Sequence, residues 1–269
     1  MSEDLENLLD GVEAIARKAG RAILEIYARA DDGVTYKDDR SPLTAADLAS
    51  HRVLDPGLAE LAPGVPVLSE EGRSMPYEER RNWRRLWLVD PLDGTKEFIK
   101  RNGEFTVNVA LLEDGVPVLG VVYAPTLERT YLAARGAGAW RRDGDAEPRA
   151  IRAAGTGGEE LVVVASRSHA GPELEAFLAA LPPHRLASMG SALKLCLVAE
   201  GAADVYPRLG PTMEWDTGAA HAVAVEAGGR VVDVEGEDLR YNKEDLLNPY
   251  FLVLGERAVP WESALASTR

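Results

Sequence analysis

The sequence is short of cysteine, of positive charge and of long apolar runs, and each shortage excludes something. Among 269 residues there is one cysteine, Cys196. One thiol cannot close a disulfide within the chain, so nothing implies an oxidising compartment. Set in the apolar stretch Ala192-Leu193-Lys194-Leu195-Cys196-Leu197-Val198, it reads as a packing residue. Lys and Arg number 30 against 44 Asp and Glu, a formal net charge of −14. A chain that acidic repels polyanions, which argues against a nucleic-acid polymer as partner. A small anionic substrate is still compatible where metal ions or a few Lys and Arg make the site itself positive. No apolar run nears the roughly 18 residues needed to span a bilayer. The first residues, Met1-Ser2-Glu3-Asp4-Leu5, are acidic where a secretion signal is basic. These features predict a cytoplasmic protein without a transmembrane segment, and leave peripheral attachment to the inner membrane open. Repeats and low-complexity tracts are also lacking.

What is present is globular. Hydrophobic residues make up 46% and charged residues 28%, enough for one large domain or two modest ones. Leu5, Leu8, Leu9, Val12, Ile15, Ala19, Ile23 and Ile26 recur at steps of three and four. That spacing predicts one face of a long helix ending near Ala30. Thr44, with Asp47 three residues on, predicts the capped start of a second helix, which Asp55-Pro56 should end or kink. Strands are predicted at 65–68, 86–89, 105–112, 116–123 and 130–134, with Asp114-Gly115 as a hairpin turn. This half reads as two helices on an antiparallel sheet. A polar, glycine-rich stretch at 141–160 suggests a boundary, dividing the chain into 1–150 and 151–269. The second half alternates. Strands are predicted at 161–164, 203–206 and 230–234, and helices at 172–180, 191–200 and 216–227, the last closed by Gly228-Gly229. Alternation of this kind predicts an α/β layer.

The chemistry centres on Asp90-Pro91-Leu92-Asp93-Gly94-Thr95. An apolar strand delivers an aspartate at its end, Pro91 stiffens the next step, and Gly94 permits a sharp turn. Two carboxylates aimed into one volume require a cation or a shared proton, and Mg²⁺ takes oxygen ligands, to which the Leu92 carbonyl could add. A turn whose aspartates cap backbone amides would read the same way in isolation. Two further acidic points shift the balance: Ser69-Glu70-Glu71-Gly72 after a strand, and Glu214-Trp215-Asp216-Thr217 at a helix start. Asp216 alone would be read as an N-cap. Asp90 and Asp93 are three apart, not two, which disfavours an aspartyl-phosphate nucleophile and favours metal-activated water.

Together these segments resemble the inositol monophosphatase superfamily. The resemblance is carried by Ser69-Glu70-Glu71, by Trp87-Leu88-Val89-Asp90-Pro91-Leu92-Asp93-Gly94-Thr95 and by Trp215-Asp216-Thr217-Gly218-Ala219-Ala220. Within it, the chain is similar to 3'(2'),5'-bisphosphate nucleotidases of the CysQ type. That similarity is carried by Ser41-Pro42-Leu43-Thr44-Ala45-Ala46-Asp47, Lys96-Glu97-Phe98-Ile99-Lys100-Arg101-Asn102-Gly103-Glu104-Phe105-Thr106, Ser166-Arg167-Ser168-His169 and Gly190-Ser191-Ala192-Leu193-Lys194. Ala192 stands where many such nucleotidases have a second serine.

The resemblance implies an alternating αβαβα sandwich of mixed α+β and α/β character, with its site between the halves. It implies two or three Mg²⁺ ions. Glu70, Asp90 and the Leu92 carbonyl would hold one, Asp90, Asp93 and Asp216 another, and a third near Glu70 would carry the nucleophilic water. Thr95 would orient that water, and Asp47 would accept a proton through the Thr95 hydroxyl. Gly94 and Thr95 would open a helix facing the phosphate. Asp216, His169, Ser191, Lys194 and Arg208 would contact the nucleotide, with Lys194 and Arg208 on its uncleaved phosphate. Lys96, Lys100 and Arg101 read as solvated, and His51, His184 and His221 as structural. Glu214 is an extra acid with no assigned role. The implied activity is hydrolysis of 3'-phosphoadenosine-5'-phosphate, or its sulfated analogue, to AMP and phosphate, with sensitivity to Li⁺. An inositol or sugar phosphate substrate, or a metal-binding regulator without turnover, are the competing readings, and homodimerisation is left open.

Overall fold

The computed structural model describes residues 3–29, 35–36, 42–165 and 171–267. The apolar stripe near the start forms α1 (Glu3–Tyr27), which buries Leu5, Leu9, Val12, Ala16, Ala19 and Ile23. Two short strands, β1 (Thr35–Tyr36) and β2 (Pro42–Leu43), pair antiparallel before α2 (Ala45–Leu61). Thr44 caps α2, and Asp47 closes the capping box from the third helical position. Asp55-Pro56 does not end this helix, which continues to Leu61. A proline inside a helix costs about 3 kcal/mol. Leu54 and Leu58 are fully buried in the core shared with α1, and each such leucine contributes roughly 1.5–3 kcal/mol, enough to offset it.

A seven-stranded sheet follows, built from β3 (Val67–Ser69), β4 (Arg85–Asp93), β5 (Thr106–Glu113), β6 (Val116–Ala124), β7 (Arg129–Ala134), β8 (Gly138–Asp143) and β9 (Arg149–Ala150), paired in that order. Two short helices, α3 (Tyr77–Arg80) and α4 (Thr95–Ile99), flank β4. The sheet is antiparallel except at one edge, where β3 runs parallel to β4. The Asp114-Gly115 turn is present, with both residues at positive φ (48° and 75°), as a two-residue hairpin requires. A five-stranded mixed sheet has the order β11-β10-β12-β14-β13. Its strands are β10 (Leu161–Ala165), β11 (His184–Ser188), β12 (Val205–Arg208), β13 (Arg230–Asp233) and β14 (Phe251–Leu254). The helices between and after them are α5 (Pro172–Ala180), α6 (Leu193–Ala199), α7 (Glu214–Glu226) and α8 (Trp261–Ala266). The parallel pairs β10–β11 and β10–β12 match the predicted alternation; β13 and β14 join antiparallel.

Three apolar cores show the layering. The first joins α1 and α2 to Trp87, Val89, Val109 and Val121 on one face of the large sheet. The second joins the opposite face, through Leu86, Leu88, Ala110 and Val122, to α6, α7 and the inner face of the small sheet. The third joins the outer face of the small sheet to Phe177 of α5 and Ala264 of α8. The result is an αβαβα sandwich. Alternate residues of β4 serve two cores, which is why that strand reads as one continuous apolar run. Helix α7 lies directly on the large sheet: a β-carbon on Gly120 would sit 2.2 Å from the Ala219 carbonyl oxygen. Among the described residues, no helix is long and apolar enough to cross a membrane.

Candidate active site

Strand pairing brings the first two acids together. Ser69 lies opposite Val89 in the parallel β3–β4 pair, and the Glu70 amide donates to the Val89 carbonyl at 3.1 Å. Glu70 and Asp90 therefore leave neighbouring strands at the same level. The β4–β5 register shifts between Asp90 and Asp93, an irregularity that re-aims side chains at a sheet edge. Within it the Leu92 amide donates to Asp90 Oδ1 (3.0 Å), and Ser50 Oγ donates to the Pro91 carbonyl (2.6 Å). Gly94 then turns at φ 92°, and a β-carbon there would lie 3.2 Å from the Glu104 carbonyl oxygen and 3.3 Å from Ser191 Cβ. The positive φ calls for glycine, and the close contacts leave little room for a side chain.

The third acid comes from α7. Asp216 is not the N-cap but the third helical residue, and its Oδ2 accepts from the Met213 amide at 2.9 Å. A carboxylate at that depth satisfies an orphan amide while facing the cavity. Carboxylate oxygens of Glu70, Asp90 and Asp216 lie within 4.8 Å of one another. Asp93 is outside that group of three. It lines the same cavity, of ≈ 230 Å³, together with Leu92, Gly94, Thr95, Lys96 and Glu97. Burial, then Glu70, Asp93 and Asp216 in turn, hold the Asp90 carboxyl well above the usual carboxylate range. Burial and then Asp93 do the same to Asp216. Acids packed this way need a counter-charge, and an all-oxygen donor set fits a hard dication.

Asp47 and Thr95 meet beside the cluster. Thr95 Oγ1 lies 3.3 Å from Asp47 Oδ1 and 3.5 Å from the Leu92 carbonyl oxygen. The other Asp47 oxygen accepts from the Thr44 amide (2.7 Å) and hydroxyl (2.5 Å). Burial raises the Asp47 pKa, against the lowering by those Thr44 bonds. Capping and a contact to Thr95 thus coexist on one carboxylate.

A second, smaller cavity of ≈ 110 Å³ shares Asp93, Gly94, Glu97 and Asp216 with the first and adds Ser191, Lys194, Tyr206 and Arg208. Lys194 is not an exposed helix lysine. It is 8% exposed, its Nζ donates to the Ser191 carbonyl (2.7 Å) and lies 5.7 Å over the Tyr206 ring. Burial lowers its pKa, opposed by Asp93. Arg208 donates to the Pro211 carbonyl (2.7 Å), while its Nε is buried without a hydrogen-bond partner. Ser191 Oγ donates to Asp93 Oδ2 at 2.8 Å. His169 lies outside the described residues. Tyr206 was missed from the sequence, although Arg208 implied it: residues two apart on one strand share a face.

Other expectations resolve plainly. Glu214 is fully buried and turned to the 242–243 loop, where it accepts from the Asn242 amide (2.6 Å), the Lys243 amide (3.1 Å) and Lys243 Nζ. Arg101 is exposed but not merely solvated, since it donates to the Tyr27 and Arg29 carbonyls, both at 2.5 Å. His221 lies 2.9 Å from the Tyr241 hydroxyl, and burial pushes its pKa down to about 4, so it is neutral and structural.

The sequence model described as the Inositol monophosphatase family matches residues 4–265. The chain belongs to the inositol monophosphatase family. Among curated members, the 3'(2'),5'-bisphosphate nucleotidase CysQ of Escherichia coli (strain K12) is 52% identical over 253 residues, covering 91% of this chain and 99% of the relative. The crystal structure of CysQ from Bacteroides thetaiotaomicron superposes with a TM-score of 0.84 at 46% identity, covering 94% of this chain and 98% of that one. The inositol monophosphatase from Anabaena (Nostoc) follows at 0.75 and 26%, covering 98% and 95%. The inositol monophosphatase family is metal-dependent, and the acidic cluster of this chain has the donor chemistry to match.

Proposed function

We propose that this protein is a Mg²⁺-dependent 3'(2'),5'-bisphosphate nucleotidase that hydrolyses 3'-phosphoadenosine-5'-phosphate to AMP and phosphate. The observation that carries this reading is the pair of adjoining cavities. One is lined by carboxylates, the other by Lys194 and Arg208, and they share Asp93 and Asp216. A substrate with two phosphates fits such a pair: one phosphate at the acids through cations, the other on the buried Lys194 ammonium and the half-buried Arg208 guanidinium. The 52% identity to a nucleotidase supports the same choice.

Glu70, Asp90, the Leu92 carbonyl, Asp93 and Asp216 would hold the Mg²⁺ ions, two or three in number. Bound there, a dication acidifies water and neutralises charge on the phosphoryl oxygens. Thr95 holds the attacking water through its Oγ1, and its own proton passes to Asp47. The water oxygen bonds to phosphorus as the bond to the ribose oxygen breaks; the water's proton replaces the one Thr95 passed to Asp47, and the leaving ribose oxygen takes a proton from solvent. Lys194 and Arg208 anchor the uncleaved phosphate, fixing the line of attack. The nucleoside falls to His169. The sulfated analogue, with a sulfate on the 5'-phosphate, presents the same anionic end to Lys194 and Arg208.

Phosphate release from the purified protein tests the reading. With Mg²⁺, the bisphosphate nucleotide should turn over far faster than inositol 1-phosphate or a sugar phosphate; the reverse order would overturn it. Release should vanish with excess chelator and in Asp93→Asn, an outcome that a metal-binding regulator without turnover would not give.

A further inference from the structure

The Gly190-Ser191-Ala192 turn, which borders the Lys194 cavity, does more than line it. Ser191 is buried, yet its backbone is left-handed, at φ 56°. An L-residue adopts that conformation only at a cost, and here the conformation delivers two donors to one atom. Ser191 Oγ (2.8 Å) and the Ala192 amide (2.6 Å) both reach Asp93 Oδ2. Asn108 Nδ2 approaches the same oxygen at 3.4 Å. Among the described residues, the hydrogen bonds to the Asp93 carboxylate all end on Oδ2, which leaves Oδ1 as the oxygen available to a cation.

The hydroxyl's single proton is accounted for. Thr106, directly opposite Asp93 across β4–β5, touches Ser191 Oγ. If Ser191 donates to Asp93, Thr106 donates to Ser191, and no Ser191 proton is left for a phosphate oxygen. The Ser191 carbonyl is also taken, by Lys194 Nζ.

Resting on the nucleotidase reading above, we infer that Ser191 is a positioning residue for Asp93, setting the affinity for the dication rather than contacting the nucleotide. Donors that fix a ligating carboxylate commonly govern metal affinity by 10–100-fold. Its side chain thereby links the anion side of the cleft to the cation side.

The test is Mn²⁺ alone, titrated calorimetrically into the full chain without nucleotide, for wild type, Ser191→Ala and Ser191→Gly. Glycine keeps the left-handed turn and the Ala192 amide but loses the hydroxyl, and it protects the experiment should the alanine variant fold poorly. Both variants should bind Mn²⁺ about tenfold or more weakly, since both lose the hydroxyl that fixes Asp93. KM for the bisphosphate, measured at saturating Mg²⁺, should change less than twofold in Ser191→Gly. Unchanged Mn²⁺ affinity in Ser191→Gly would overturn the inference, as would a large rise in KM at saturating Mg²⁺. If instead the wild type fails to cleave the bisphosphate while these Mn²⁺ differences hold, the substrate reading fails and the positioning role stands.

Discussion

Asp47 has two oxygens with separate duties, and the two can be taken apart. Oδ2 caps α2 through Thr44, while Oδ1 faces Thr95. At the third position of a capping box an amide oxygen accepts as a carboxylate does, but an amide cannot take a proton. Asp47→Asn is therefore expected to keep its folding stability within about 1 kcal/mol while kcat falls by about 10²–10⁴-fold, the range for a lost general base. Asp47→Ala should lose both, with a further loss of about 1 kcal/mol for the cap. Thermal denaturation and steady-state kinetics on the two variants read this directly. If Asp47→Asn turns over normally, the carboxylate is only a cap. At Arg208, truncation should act on the other end of the substrate. Arg208→Ala is expected to raise KM for the bisphosphate by about tenfold or more, since a hydrogen-bonded charge pair contributes roughly 1.5–3 kcal/mol. A KM equal to wild type would remove Arg208 from the anion site.

Among the elements, α7 decides whether Asp216 reaches the cluster, and its seat depends on a strand residue with no chemistry. Gly120 of β6 lets the helix backbone approach, and a methyl there would meet both the Ala219 carbonyl oxygen, at 2.2 Å, and Ala222 Cβ, at 2.9 Å. Gly120→Ala should lift α7, costing about 1–3 kcal/mol as overpacking does, and weaken cation binding along with stability. Urea denaturation and Mn²⁺ titration of the variant check both, and a stable variant with wild-type cation affinity would detach Asp216 from this seat. The sequence showed α7, starting it at Asp216, two residues after its true first residue Glu214, and closing it at Gly228-Gly229, but it could not show the closeness of Gly120, which depends on a helix about 100 residues later along the chain. The same divide holds elsewhere. Thr44, Asp47 and Asp114-Gly115 were legible because caps and hairpin turns are local bonds. Edge strands such as β9 and β11 were not, because their pairing partners, not their own composition, make them strands. That the helix runs on past Pro56 was hidden for the same reason: burial of Leu54 and Leu58 by α1 is invisible to a local rule. At the site, the acids and Thr95 announced themselves by motif. Glu214 looked like one more acid near the metals, and only the 242–243 loop shows where its carboxylate turns.

For the molecule as a whole, gathering Glu70, Asp90 and Asp216 in a chain of net charge −14 sets stability against acidity in an unusual direction. Asp114 beside Arg84, and Asp143 beside Arg141 and Arg129, are held below the usual carboxylate range by their arginine partners, and such groups lose stability as pH falls. Asp90 and Asp216 shift upward in the metal-free protein, by burial and mutual repulsion. Their stabilising contribution is complete below the unfolded carboxylate pKa, near 4, and is lost as pH rises through their raised folded values. A dication replaces the missing protons, so its effect should grow with pH across that window. Binding to the folded state alone at a hundred times Kd contributes about 2.7 kcal/mol. For a chain of this size that raises Tm by about 5–10 °C. Thermal melts with and without Mg²⁺, at pH 5.5 and pH 8, should show the larger increment at pH 8. The downward-shifted surface carboxylates do not obscure the comparison, since they are equally present with and without the cation and cancel in the difference. An increment that is equal at both pH values, or larger at pH 5.5, would mean that protons and dications do not compete for Asp90 and Asp216. The acidic cluster would then not be where the cation binds.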